Sequence, residues 1–323
     1  MNPNKFMHSR AAMILATLLM ILAAWQVFAS GDGTVIAGDR GIALPSANLW
    51  PRTPLASALT GIGSTLLIMG MMLFLNRRFN LLRDLSVIGC TIFAAMQAAT
   101  PMLTAQLYTG QLLALAVAAC FALLFSCYGN PWRRQRVFLA FFILSAGVST
   151  QYSFAVYIPV MLVCCWQMRI MSGRTLVAVA LGLLTPWWLL FGFGIISPDM
   201  LHVPHLSRLL SVFSFTDGAL LAATLLLTVG VLAAAVVFDL FRTIAYNARS
   251  RSYNGTIVLT GIVTAIAMAV DYNNVASYVP LLNMLAALQG AQFFIIHRTE
   301  RSWIGILALL CAYMILSVCN ILA

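Results

Sequence analysis

Long apolar runs separated by short polar breaks dominate the chain. The runs cover residues 11–29, 55–75, 85–99, 107–127, 137–150, 154–168, 175–196, 218–238, 256–270, 277–296 and 302–321. A run of roughly twenty apolar residues matches the ~30 Å of hydrocarbon in a bilayer when it is helical. Lipid offers no partner to a backbone N–H or C=O, so a spanning run satisfies its own hydrogen bonds as a helix. A transmembrane barrel would show short alternating segments instead, and these runs are continuous. The expected fold is all-α: a polytopic transmembrane helical bundle of about eleven spans, forming one domain over residues 1–323.

The breaks between the runs carry the charge. Lys5 and Arg10 precede the first run; Arg77, Arg78 and Arg83 follow the second; Arg133, Arg134 and Arg136 follow the fourth. Arg169 and Arg174 follow the sixth, Arg242, Arg249 and Arg251 the eighth, and Arg298 and Arg301 the tenth. With eleven spans, all of these connections fall on one side of the membrane. That side holds fifteen of the 18 basic residues, and only Arg40, Arg52 and Arg208 fall on the other. The positive-inside rule then puts the N-terminus in the cytoplasm and the C-terminus outside. Merging the fifth and sixth runs, or the ninth and tenth, would put later basic groups on the wrong side. Trp25 and Trp50 fall near the outer interface and Trp132, Trp166 and Trp303 near the inner one, as an aromatic belt requires. Trp187 and Trp188 sit deep in the seventh run, after Thr185-Pro186, where a broken helix lining a pocket and a proline kink packed by aromatics are both open. The first run, ending in Val27-Phe28-Ala29, has the look of a signal peptide. Its apolar stretch is longer than a usual signal core, which favours an uncleaved span; cleavage would leave ten spans in the same orientation.

Composition narrows the class. Hydrophobic residues make up 62% of the chain and charged residues 8%, against roughly 25% charged in soluble domains. The net charge of +10 is scattered beside apolar runs rather than gathered in a stripe, so nucleic acid is not an expected partner. The seven cysteines fall within or at the edge of the runs; no disulfide framework or zinc spacing is expected, and they read as small packing residues. There is no phosphate-binding glycine loop, nucleophile elbow or paired metalloprotease histidine motif, and no cofactor or metal is expected. No basic residue lies mid-span, no carboxylates pair mid-membrane, and no inverted repeat of broken helices is visible.

Polar residues gather toward one side. Gln97, Thr100, Thr104, Gln106, Tyr108, Thr109 and Gln111 surround the turn between runs three and four; Gln151 and Tyr152 cap the turn between five and six; Asp271, Tyr272, Asn273 and Asn274 cap the turn between nine and ten. Runs three, five, six and nine are short, which suits helices that stop partway and line a recess. These caps, with Asp32, Asp39, Asp199, His202 and His205 of the two longer loops (about 30–54 and 197–217), could surround an outward-facing polar site. Short turns also need polar residues simply to satisfy their backbone. Asp271 ends an apolar run with no basic neighbour; a proton relay or general base and a solvated hairpin cap are the two readings. His202 and His205 are three apart, but Pro204 lies between them and only Asp199 is at hand, so a metal site is the lesser reading. Asn254-Gly255-Thr256 matches a glycosylation sequon on the wrong side of the membrane.

Residues 76–194 resemble an uncharacterised family of multi-pass membrane proteins from Bacteroidetes, known only as a domain of unknown function. The resemblance rests on Asn76-Arg77-Arg78-Phe79-Asn80-Leu81-Leu82, the Thr100-Pro101 hairpin leading into a polar-started fourth span, the Arg133–Arg136 turn, and Gly182-Leu183-Leu184-Thr185-Pro186-Trp187-Trp188. The family's aromatic-rich hairpin is only partly matched by Gln151-Tyr152-Ser153-Phe154. The resemblance implies a Gram-negative inner membrane and no catalytic residue. In layout the chain is also similar to polytopic glycosyltransferases that use polyprenyl-phosphate sugars. That likeness implies an acid just after the first span as general base, the place of Asp32 and Asp39. It leaves Arg52 or Arg208 for a phosphate, and Gln106, Gln151, Asp271 and Asn273 as further substrate contacts. Three classes stay open: an enzyme handling a lipid-linked glycan, a non-enzymatic component of an envelope assembly or secretion complex, and a transporter or flippase. The expected partners are the lipid bilayer with a lipid-linked glycan or envelope-assembly proteins.

Overall fold

The computed structural model describes residues 9–30, 42–82, 87–130, 132–197, 199, 201, 219–242, 247–296 and 302–322. Among them the regular structure is helical throughout, with no strand. The main helices are α1 (Arg10–Ser30), α2 (Pro54–Phe79), α3 (Ile88–Ala98), α4 (Thr109–Phe125), α5 (Arg134–Thr150), α6 (Tyr157–Gln167), α7 (Gly173–Gly192), α8 (Ala219–Arg242), α9 (Ala248–Val270), α10 (Val279–Ile296) and α11 (Ser302–Leu322). Each apolar run of the sequence overlaps one of them. Seven, namely α1, α2, α7, α8, α9, α10 and α11, hold segments long and apolar enough to cross a membrane. The chain is a multi-pass membrane protein.

One helix departs from the length expected of its run. The ninth run was expected to give a short helix, yet α9 begins at Ala248 and spans 23 residues. Its polar first turns, including Arg249, Arg251, Ser252 and Asn254, continue the helix because Tyr253 and Asn254 are buried against neighbouring helices. In contrast, α3 has only 11 residues. Thr100 sits before Pro101, where the proline ring disfavours helical backbone, and adopts φ −125° and ψ 62°.

The centre of the bundle is built from α3, α4 and α10. Every residue of α3 is buried, as is the whole stretch of α10 from Val279 to Ala291. A helix that is apolar all round belongs in the interior. Helix α10 packs on α8, α3, α9 and α4; α1 lies on α3, α2 on α4 and α5 on α7. The peripheral helices turn Leu18, Leu22, Leu59, Leu67, Leu181, Leu184, Leu226 and Ile315 outward, a surface suited to lipid. Helix α7 runs unbroken through Pro186, which is buried; Trp187 stacks along Phe191 and Trp188 points outward. Five cysteines are buried in the apolar packing, while Cys311 is exposed.

Hydrogen bonds sort the helix ends into two groups. At one end the Leu107 N–H donates to Ser57 Oγ (3.1 Å). There too the Ala43 and Leu44 N–H groups donate to Ser149 O (3.0 and 2.8 Å), and Ser317 Oγ donates to Ala98 O (2.6 Å). At the other end the Gly129 N–H donates to Met168 O (3.1 Å) and Tyr253 Oη donates to Phe125 O (2.9 Å). Arg10, Arg77, Arg78, Arg133, Arg134, Arg136, Arg169, Arg174, Arg249 and Arg251 lie at this second, basic end. Arg52 lies at the first, or far, end, just before α2.

Gly61 shows how closely the far end is packed. A Cβ there would lie 2.5 Å from Gln106 O, whereas one on Gly63 would meet nothing within 4 Å. Gly61→Ala is therefore expected to lower the unfolding free energy by about 1–3 kcal/mol, the usual cost of overpacking. Gly63→Ala should leave it unchanged or slightly higher. Thermal unfolding of the two variants in detergent checks this; equal midpoints would contradict the close approach.

Candidate functional site

Two helical hairpins meet at the far end. Helix α5 stops at Thr150 because Gln151 is extended (φ −160°, ψ 138°), and a 3-10 turn, Tyr152–Val156, leads into α6. Helix α9 stops at Asp271 (φ −112°, ψ 60°), and a second 3-10 turn, Tyr272–Ser277, leads into α10. The two turns are joined by side chains that are all buried: Asp271 is 4% exposed and Gln151 1%.

Tyr152 Oη donates to Asp271 Oδ2 at 2.6 Å, and Tyr278 Oη donates to the same oxygen at 3.2 Å. Gln151 Nε2 donates to Asn274 Oδ1 (2.9 Å) and to Ser277 Oγ (2.8 Å). Ser277 Oγ donates to Asn274 Oδ1 (2.6 Å), and Asn274 Nδ2 closes the circuit onto Tyr152 Oη (3.4 Å). The carboxylate's protein donors among the described residues are thus two phenols. Each hydrogen bond to a charged group contributes about 1.5–3 kcal/mol. Asp271 is therefore not a solvated hairpin cap: the hairpin of α5 and α6 covers it.

A second network supports the turn between α3 and α4. Gln111 Oε1 accepts from Ser64 Oγ (2.6 Å), and Gln111 Nε2 donates to Leu103 O (2.9 Å). The Tyr108 N–H reaches Gln111 Oε1 at 3.4 Å. This glutamine ties α2 and the Pro101–Thr104 turn to the start of α4, and its partners are mostly backbone. Helix α9 adds a third feature. Thr256, Thr260 and Thr264 are fully buried, and each donates to the carbonyl four residues earlier. Thr264 Oγ1 also lies 3.0 Å from Tyr157 Oη, and Thr256 Oγ1 donates to Gln167 Oε1 at 3.3 Å. Nearby, Gln289 Nε2 donates to Asn254 Oδ1 at 2.8 Å.

The structure brings Gln151 and Asp271 into one network. Asn273 lies in the same 3-10 turn as Asn274. Gln106 is half-buried in the connection to α4, and its carbonyl accepts from Gln111 Nε2 (3.4 Å). Arg52 and Asp199 are exposed. Asp32, Asp39, His202, His205 and Arg208 lie outside the described residues. Among the described residues no group of three His, Cys, Asp or Glu could hold a metal ion. Tyr157, Thr264, Ser277 and Tyr278 escaped the sequence reading. Their one signal was position: Ser277-Tyr278 directly follows the Asp271 cap, and the α9 threonines recur every four residues.

Comparison with protein-family models, curated proteins and solved structures gives no match. The site is therefore read from its own chemistry.

Tyr152→Phe is expected to lower the unfolding free energy by about 1.5–3 kcal/mol, because the donor lost is the shorter of two to a buried carboxylate. A double-mutant cycle with Asp271→Asn should show that the losses are not additive. Additive losses would mean that the two groups do not act on each other.

Proposed function

We propose that the protein is an eleven-span inner-membrane protein, N-terminus in and C-terminus out, that handles a lipid-linked glycan at its extracytoplasmic end. The orientation is supported by the gathering of arginines at one end of the bundle, as the positive-inside rule asks of a cytoplasmic face. The inner membrane of a Gram-negative cell is the setting that the resemblance of residues 76–194 implies.

One observation carries the choice of site. Four residues after Asp39, the chain is tied by Ala43 and Leu44 to Ser149 O, two residues before Gln151. The chain just after the acids is therefore tied to the hairpin that carries Gln151, which supports a role for Asp32 or Asp39 at this end. In this reading Asp32 or Asp39 is the general base, the role a carboxylate plays when it takes a proton from an attacking hydroxyl. Arg52 and Arg208 hold the phosphate of the donor through their planar guanidinium groups. Gln106 and Asn273 contact the sugar, while Gln151 and Asp271 hold the floor of the site in place.

A transporter is the second reading, favoured by α9 alone. Its buried threonines run between Asn254, Gln167 and Gln289 toward the basic end and Asp271 at the far end. Polar groups therefore line one helix through the thickness of the bundle. A non-enzymatic envelope component has no comparable observation in its favour.

Two measurements test the first reading. A periplasm-active enzyme fused after Ala323 should be active and a cytoplasm-active reporter there inactive; the reverse pattern overturns the orientation. Asp32→Asn and Asp39→Asn should alter the cell's surface-glycan profile in at least one case. If both profiles stay unchanged beside a deletion strain whose profile shifts, the catalytic assignment is lost.

A further inference from the structure

The far-end network leaves a buried carbonyl oxygen without a partner among the described residues. Both hydrogens of the Gln151 amide are committed, to Asn274 Oδ1 and Ser277 Oγ. In that orientation Gln151 Oε1 is buried with no partner among the described residues. Ser153 Oγ, two residues on and fully buried, also has none. Both phenols converge on Asp271 Oδ2, so Oδ1 takes no hydrogen bond from the described residues. The Gln151 carbonyl is thus left as a buried oxygen beside the carboxylate's network.

Among the described residues no cation pairs with this carboxylate. The arginines of the described helices stand at the basic end, and Arg52 at the far end is exposed. A buried carboxylate is ordinarily paired with a cation or coordinates a metal. Phenol donors delocalise its charge without cancelling it. Carboxylate, amide-carbonyl and hydroxyl oxygens together are the donor set of hard cations. A divalent ion would ask for six or more oxygens and usually for several carboxylates. The network offers a single negative charge.

We propose that the Asp271 network binds one monovalent alkali cation, sodium or potassium, through Asp271 and the Gln151 carbonyl. The cation balances the carboxylate's charge and takes up the unpartnered oxygens. It locks the α5–α6 hairpin onto the α9–α10 hairpin, because its ligands come from both. This site stands independently of the glycan reading.

The test uses the purified full-length protein in detergent at constant ionic strength, with sodium, potassium or choline as the chloride salt. The unfolding midpoint should rise saturably by about 3 °C when sodium or potassium replaces choline, the shift expected of a ligand bound by the folded state alone. Asp271→Asn and Gln151→Met should each remove that dependence. Gln151→Met keeps the side chain's length and loses its carbonyl. A wild-type midpoint that is the same in all three salts overturns the proposal whatever the variants do. So does a cation-dependent shift that survives in both variants.

Discussion

A helix that stops inside a bilayer leaves its last carbonyls and first amides without partners, and hydrocarbon supplies none. Each such group left bare costs about 1–3 kcal/mol. The organisation of this bundle follows from that constraint. Helix α3 has 11 residues, and at a rise of about 1.5 Å per residue it is far shorter than the hydrocarbon is thick. It is tolerated because its exit is met by α11. Ser317 Oγ takes up Ala98 O, and Asn320 Nδ2 takes up Ala99 O at 3.0 Å. The start of α4 is met in the same way, with Ser57 and Gln111 supplying acceptors for the Leu107 and Tyr108 amides. The buried Ser317 and Gln111 thus finish the backbone of short helices.

The Asp271 network differs in kind. Its members bond mainly to one another. A carboxylate held by Tyr152 and Tyr278, away from the arginines, does not complete any helix end that a neutral amide could not. Its place at the meeting of the two hairpins couples the α5–α6 half of the molecule to α9 and α10. The first loop is anchored at Ser149, next to the same hairpin. The far end therefore brings the residues just after that loop and the buried carboxylate into one region, where the polar stripe of α9 ends.

The sequence by itself determined the all-helical class, the membrane setting and the position of every main helix. Apolar runs near the thickness of hydrocarbon leave no other backbone solution, and the arginines between them mark where the chain turns. Local chemistry also marked Gln151 and Asp271, since polar residues that end apolar runs stand out. Burial, and the length of α9, were decided only by the tertiary structure. The polar start of α9 is helical because Tyr253 and Asn254 are covered by other helices, and the short α3 is tolerated because its exit is met by α11. The meeting of Gln151 with Asn274, and of Tyr152 with Asp271, joins residues well over a hundred positions apart. No hydrophobic period encodes such a pairing, because a lone polar residue in an apolar run fixes its own cost but not its partner. That partner is set by how the helices pack.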